Sequence, residues 1–239
     1  MKRVFIVFIS VFCFFGTIEC VVPPKIIENI ERILEHDKNL PIIAIAGCPG
    51  VGKSTFASML SQELSQKNIQ CAIINFDDFG KTAEERKSLK NELDIMRIRW
   101  EDLHGVFQEI RQGKRQVKIQ KINQLTKERN DEILDLQGID LILFEGMYTL
   151  SNDSLMNLRS YADLGIYMET TVENICQWKW EREKKKTVSR TLEQFEKHMA
   201  LIFEDFVRFV YPTKQHADWV IYANDRHEFS TDWKDGMMQ

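Results

Sequence analysis

One run of eight residues has the types and spacing needed to hold a phosphate group. Residues 47–54 read GCPGVGKS, which matches the pattern G-x-x-x-x-G-K-[ST] at every fixed position. Several consecutive backbone N–H groups must surround one phosphate, and glycine permits the required dihedral angles and a close approach of the backbone. We therefore predict a phosphate-binding loop formed by Gly47, Cys48, Pro49, Gly50, Val51, Gly52, Lys53, Ser54 and Thr55.

The two polar side chains that close this loop have separate predicted roles. A helix that begins near Lys53 would direct the positive end of its dipole at the anion. In this pattern the lysine reaches the β and γ phosphates of ATP, and the hydroxyl that follows it, here Ser54, binds Mg²⁺. ATP and Mg²⁺ are thus the cofactors that the pattern predicts.

Acidic residues follow two further apolar segments. Asp77 and Asp78 come after the apolar residues 71–76, and Glu145 comes after residues 141–144. Ligand sites in open α/β sheets lie beyond the carboxyl ends of the strands. Phosphoryl transfer needs one carboxylate to accept the proton of the acceptor hydroxyl and another near Mg²⁺. Asp77 suits the first role, with Asp78 as a competing candidate, and Glu145 suits the second.

The order of the segments predicts the fold class. Apolar runs predict five strands, and segments with helical spacing separate them. This alternation predicts a three-layer α/β/α fold with a mainly parallel five-stranded sheet. The strands are predicted at 42–46, 71–76, 141–144, 165–168 and 219–222, and the main helices at 26–34, 54–65, 100–112, 172–185 and 191–210. Residues 115–131 are polar and irregular, which is typical of an inserted hairpin or flap.

Composition bounds the remaining possibilities. The chain has 239 residues, of which 44% are hydrophobic, and its formal net charge is −4. This size fits one domain, predicted at residues 23–239, after a leader at 1–22. The acidic balance gives no reason to expect a nucleic-acid partner. The five scattered cysteines have no metal-ligand spacing and argue against a disulfide framework, which suits a reducing compartment.

The leader points to a different compartment. Lys2 and Arg3 precede fifteen largely apolar residues, and Pro23 and Pro24 interrupt the chain afterwards. A basic start followed by such a run is typical of a signal peptide or a short membrane anchor, whereas ATP dependence favours the cytoplasm. An apolar strand or a start codon placed too early are the alternatives. Membrane contact is expected only through the leader, and oligomeric state is left open.

Four blocks resemble the uridine kinase and phosphoribulokinase group of P-loop kinases. They are residues 47–55, 77–79 (DDF), 143–146 (LFEG) and 211–218 (YPTKQHAD). The resemblance extends over about residues 42–222 and implies that Asp77 is the catalytic base. It also implies an arginine-bearing lid at 180–190, in which Arg182 and Arg190 would neutralise charge on the transferred group. A charged, solvated helix face is the alternative for this run.

The blocks that hold the acceptor in uridine kinases depart from the family pattern. Gly80 stands where the family has tyrosine, residues 91–100 replace its H-P-x-A-F-D stretch, and residues 120–123 (QKIN) replace its P-x-Y-D hairpin. We therefore predict an ATP-dependent phosphotransferase that acts on a small hydroxyl-bearing metabolite, whether nucleoside, sugar or pantothenate-like. The alternatives are a P-loop NTPase or a non-catalytic nucleotide-binding protein, each without a small-molecule acceptor, and a pantothenate or glycerate kinase-like enzyme.

Overall fold

A six-stranded sheet forms the centre of the fold. The computed structural model describes residues 22–36, 39–87, 89, 94–123, 126, 128–154 and 156–231. Among these, the sheet strands are β1 (Ile42–Gly47), β2 (Cys71–Asn75), β5 (Leu141–Glu145), β6 (Leu164–Glu169), β7 (Trp219–Ala223) and β8 (Phe229–Ser230). They lie in the order β2-β5-β1-β6-β7-β8, and only the β7–β8 pair is antiparallel.

The predicted α/β class and mainly parallel sheet are confirmed, but the strand number was wrong by one. All five predicted strands are present, and β8 is the sixth. With only two residues, β8 is too short to show an alternating pattern. Its Phe229 ring packs edge-on against Phe56, with 5.2 Å between the ring centroids.

Helices cover both faces of the sheet. They are α1 (Pro24–His36), α2 (Lys53–Gln66), α3 (Ala83–Arg86), α4 (Trp100–Arg111), α5 (Val172–Lys184) and α6 (Leu192–Asp205). Alternate residues of β1 enter two separate cores: Ile43 and Ile45 pack with α1 and α2, whereas Ala44 packs with α4. The predicted helix 191–210 is shorter than expected, because α6 ends at Asp205 and a π-helical turn (Phe206–Val210) follows.

A β-hairpin lies between α4 and β5. Strands β3 (Gln116–Ile122) and β4 (Arg129–Asp135) pair antiparallel, so the hairpin extends further than the expected segment 115–131. Val117 and Ile119 of β3 are buried in the same core as α4. The hairpin therefore has an apolar anchor and stands beside the chain segment that follows β2.

The ends of β2 and β5 are joined by a close contact at a glycine. A Cβ atom on Gly146, the residue after β5, would overlap the Cβ of Phe76, which follows β2. Phe76 is itself buried. Glycine at this position lets the two strand ends, and the carboxylates beside them, approach each other.

The predicted leader, apart from Val22, lies outside the described residues. Val22 is buried against the α1–α2 face, and its backbone N–H donates to Glu63 Oε1. Within the described part of the chain, no helix combines the length and the apolar character needed to cross a bilayer.

Candidate active site

The predicted phosphate loop connects β1 to α2. Gly47 ends β1 with a φ angle of 140°, and a Cβ atom there would collide with the carbonyl oxygen of Met168 on β6. Gly50 has a φ angle of 98°, and a Cβ atom there would lie 2.9 Å from Cγ of Lys179 on α5. Glycine is required at both positions because the loop is pressed between β6 and α5.

Lys53, the first residue of α2, lies inside this loop. Its Nζ donates to the carbonyl oxygens of Gly47 and Cys48, at 3.1 Å each. The residue is only 8% exposed. Burial lowers the pKa of Lys53, and the nearby carboxylate of Glu145 opposes that shift. The ammonium is therefore held at the centre of the loop with few solvent contacts to replace when an anion binds.

Ser54 and Glu145 form the second polar pair of the site. Ser54 Oγ donates to Glu145 Oε1 at 2.8 Å, which joins the start of α2 to the end of β5. Glu145 is 3% exposed, and burial raises the pKa of its carboxyl group. A hydroxyl and a carboxylate oxygen side by side are the hard oxygen ligands that Mg²⁺ prefers.

These groups line one cleft of about 350 Å³ at the carboxyl edge of the sheet. Its lining residues are Pro49, Gly50, Gly52, Lys53, Ser54, Thr55, Asp77, Glu145, Gly146, Met147, Lys179 and Arg182. Three cations face it, and burial lowers the pKa of two of them, Lys53 and Lys179. Burial makes these groups costly to keep charged, and a nearby negative charge offsets that cost, so they favour a polyanionic ligand. The residues present therefore fit ATP with Mg²⁺.

The structure distinguishes the two aspartates that follow β2. Asp77 is the second residue of the 3₁₀ turn Phe76–Phe79, is exposed, and lines the cleft. Its backbone N–H donates to Asn75 Oδ1 at 2.8 Å, which fixes the start of the turn. Asp78 instead faces the hairpin, where its Oδ2 lies 3.9 Å from Lys121 Nζ, and burial raises its pKa. Position alone favours Asp77 as the proton acceptor.

The two lid arginines have different surroundings. Arg182 near the end of α5 lines the cleft. Arg190 is not among the lining residues, and its guanidinium donates to Glu183 Oε2 at 3.0 Å. Glu183 also accepts from the backbone N–H of Arg190 and from Lys186, and the hydrogen bond from Lys186 is the main cause that lowers the pKa of Glu183 to about 2. Glu183 therefore ties residues 186–190 to α5.

Sequence reasoning missed Lys179. It lies on α5 one turn before Arg182, so the two side chains share a helix face and both reach the cleft. The i, i+3 spacing of two cations was the available signal. Cys48 is not among the residues that line the cleft; it packs with Ile175 and Met199, and burial raises the pKa of its thiol to about 12. Cys48 thus contributes packing and a backbone carbonyl.

Comparison with known proteins agrees with this geometry. Residues 42–229 match the model of the phosphoribulokinase / uridine kinase family. A uridine kinase of Aliivibrio fischeri is 28% identical over 203 residues, which cover 80% of this chain and 90% of that protein. Phosphoribulokinase from Rhodobacter spheroides is similar in structure, with a TM-score of 0.63, 17% identity, and coverage of 79% of this chain and 71% of that chain. A D-glycerate 3-kinase from Cryptococcus neoformans has a TM-score of 0.61 at 15% identity and covers 87% and 96%.

Proposed function

Because the chain belongs to the phosphoribulokinase / uridine kinase family and is an ATP- and Mg²⁺-dependent small-molecule kinase, we propose that it phosphorylates a hydroxyl group of a small metabolite with Asp77 as the base. The observation that carries this proposal is the shared cleft. Lys53, the Ser54–Glu145 pair and Asp77 line it together, although they come from three separate strand ends.

Each lining group has a role in the proposed reaction. The loop amides and Lys53 hold the terminal phosphates, while Lys179 and Arg182 neutralise charge from the side of α5. Ser54 and Glu145 would hold Mg²⁺, which would supply positive charge that screens the phosphates. Asp77 takes the proton from the acceptor hydroxyl while the oxygen of that hydroxyl bonds to the γ-phosphorus. The bond from that phosphorus to the β–γ bridging oxygen breaks, which leaves ADP and a phosphorylated acceptor.

Asp77→Asn tests this assignment, and Asp78→Asn removes the competing candidate for the base. The amide cannot accept the proton, so transfer to the acceptor should fall by about 100-fold or more, the usual scale for a general base. Affinity for ATP should stay within about threefold, because Asp77 has no predicted phosphate contact. ADP release and isothermal titration with ATP measure the two quantities.

The acceptor is identified in the same assay by screening hydroxylated metabolites: nucleosides, sugars and pantothenate-like compounds. A loss in Asp78→Asn with none in Asp77→Asn would transfer the base role to Asp78. Hydrolysis of ATP that no metabolite accelerates, and that Asp77→Asn leaves unchanged, would contradict a kinase and favour a plain NTPase.

A further inference from the structure

The 3₁₀ turn that carries Asp77 packs against strand β3 of the hairpin, and a buried arginine holds the turn and the strand together. The guanidinium of Arg99 donates to the carbonyl oxygen of Asp78 at 3.1 Å and to that of Gly80 at 3.3 Å. It also donates to the carbonyl oxygen of Gln120 on β3. The side chain of Arg99 is 7% exposed. Strand β3 is therefore held at a fixed place beside the turn that carries the proposed base.

The hairpin brings a lysine between two carboxylates at this place. Lys121 Nζ lies 3.9 Å from Asp78 Oδ2 and 3.3 Å from Glu132 Oε2. All three side chains keep part of their surface in solvent, with 33% exposure for Lys121, 23% for Asp78 and 51% for Glu132. An ammonium group offers three donors, and the carboxylates offer only acceptors. Beside the turn that carries Asp77 there are thus accessible groups of both hydrogen-bonding types.

The aromatic rings around the turn are used in the core instead. Phe76, Phe79 and Tyr148 are each at most 2% exposed. Trp100 donates its indole N–H to the carbonyl oxygen of Ile95 at 2.8 Å, and its ring packs on Phe76 with 5.6 Å between centroids. Flat bases are commonly held by stacking on exposed rings. These four rings pack in the core, so we expect recognition of the acceptor beside the turn to depend on hydrogen bonds.

We propose that the acceptor is a small aliphatic polyol of the carbohydrate class, selected by Asp78 and Lys121. This inference rests on the proposed function, because it assumes that Asp77 receives the proton of the reacting hydroxyl. Each hydroxyl of a polyol both donates and accepts a hydrogen bond. A hydroxyl next to the reacting one can therefore donate to Asp78 and accept from Lys121 at the same time. A planar base presents a large apolar face, whereas the described aromatic rings of the turn, Phe76 and Phe79, are buried.

Lys121→Met, with Lys118→Met as its control, tests the role of the lysine. Both residues lie on β3 and both pair with an acidic residue of β4, Lys118 with Asp131 at 2.6 Å, but Lys118 is 64% exposed. Loss of one charge-assisted hydrogen bond should raise the KM for the acceptor about tenfold or more. The kcat value and the KM for ATP should change by less than about twofold. Lys118→Met should behave as the wild type.

The acceptor class is tested with glycerol, D-ribose and D-fructose against uridine and cytidine. We expect at least one polyol to have a kcat/KM about tenfold higher than either nucleoside, and to bind more tightly in calorimetry with ADP and Mg²⁺ present. A nucleoside that equals or exceeds all three polyols in both measurements would overturn the inference, as would an unchanged acceptor KM in Lys121→Met. Phosphoryl transfer to uridine that still depends on Asp77 would leave the kinase assignment standing. A wild-type protein that does not bind ATP would instead count against the proposed function itself.

Discussion

Replacing Lys53 by methionine separates the functional role of this residue from its structural one. The ammonium lies inside the phosphate loop, bonded to two carbonyl oxygens and 8% exposed. Methionine has a similar length but no charge, so it fills the same space while it removes the phosphate contact and the two hydrogen bonds to the loop. We expect the variant to fold normally and to bind ATP poorly.

The size of the effect follows from the hydrogen bonds exchanged on binding. Hydrogen bonds from a charged group contribute about 1.5–3 kcal/mol each, so contacts with two phosphates would supply about 5 kcal/mol. An ammonium has three donors, so one of the two bonds from Lys53 to Gly47 and Cys48 must be given up first, and as a bond from the same charged group it contributes about 2 kcal/mol. The remaining 3 kcal/mol or so corresponds to a Kd for ATP about 100-fold higher in the variant.

Stability should respond differently from affinity. The ammonium of Lys53 is costly to bury, which is why its pKa is lowered. Removing that cost offsets the two lost hydrogen bonds, so the free energy of unfolding should stay within about 1 kcal/mol of the wild type. Calorimetry with ATP and urea unfolding without nucleotide measure the two quantities. A variant that binds ATP within about threefold of the wild type would refute the assignment of the loop, and a loss of more than about 3 kcal/mol in stability would show that Lys53 is needed for folding.

Two further predictions concern the lid. Arg182→Ala should lower kcat by about 100-fold, the scale for one donor to developing charge. Arg190→Ala should have a much smaller effect, because its side chain is paired with Glu183. Steady-state kinetics on both variants measures the difference, and equal losses of kcat would show that Arg190 leaves Glu183 during turnover. Glu183→Gln should destabilise the fold at neutral pH, since the folded pKa of Glu183, about 2, lies below its ordinary value of 4.5. That stabilisation is fully present above about pH 4.5 and is lost as the pH falls towards 2. Urea unfolding should therefore show that the difference in the free energy of unfolding between wild type and variant decreases over this pH range. A difference that does not depend on pH would mean that the ion pairs do not cause it.

The phosphate loop and the strand ends could be predicted because each depends on residues that are contiguous in the chain. The end of each strand can be read from the residue that ends or follows the apolar run, which is Gly47 for the first run, Asp77 for the second and Glu145 for the third. The parallel sheet then brings these ends to one edge. The meeting of Ser54 and Glu145, 91 residues apart, follows from that topology and from the spacing of the loop pattern.

The rest of the site depends on tertiary contacts that no local pattern encodes. From the sequence, Lys179 could equally lie on a solvent-exposed face of its helix. The packing of α5 over Gly50 directs its side chain towards the cleft. Arg99 is typical of a surface residue in the sequence, yet it is buried by the hairpin that it holds. Residues 1–21 lie outside the described part of the chain, so the interpretation of the leader stays a prediction.

The contact between Gly146 and Phe76 has a consequence for how this enzyme could change its acceptor over evolutionary time. Because a side chain on Gly146 would overlap Phe76, it would force apart the unit that the ends of β2 and β5 form and change the separation of the proposed base and the proposed metal carboxylate. Substitutions there would disturb the reaction for every acceptor alike. Among the described residues, the turn, Arg99 and the buried Val117 and Ile119 hold the hairpin to this unit, so the exposed residues of the hairpin are free to diverge. New specificities should therefore arise in the hairpin while the two strand ends stay unchanged.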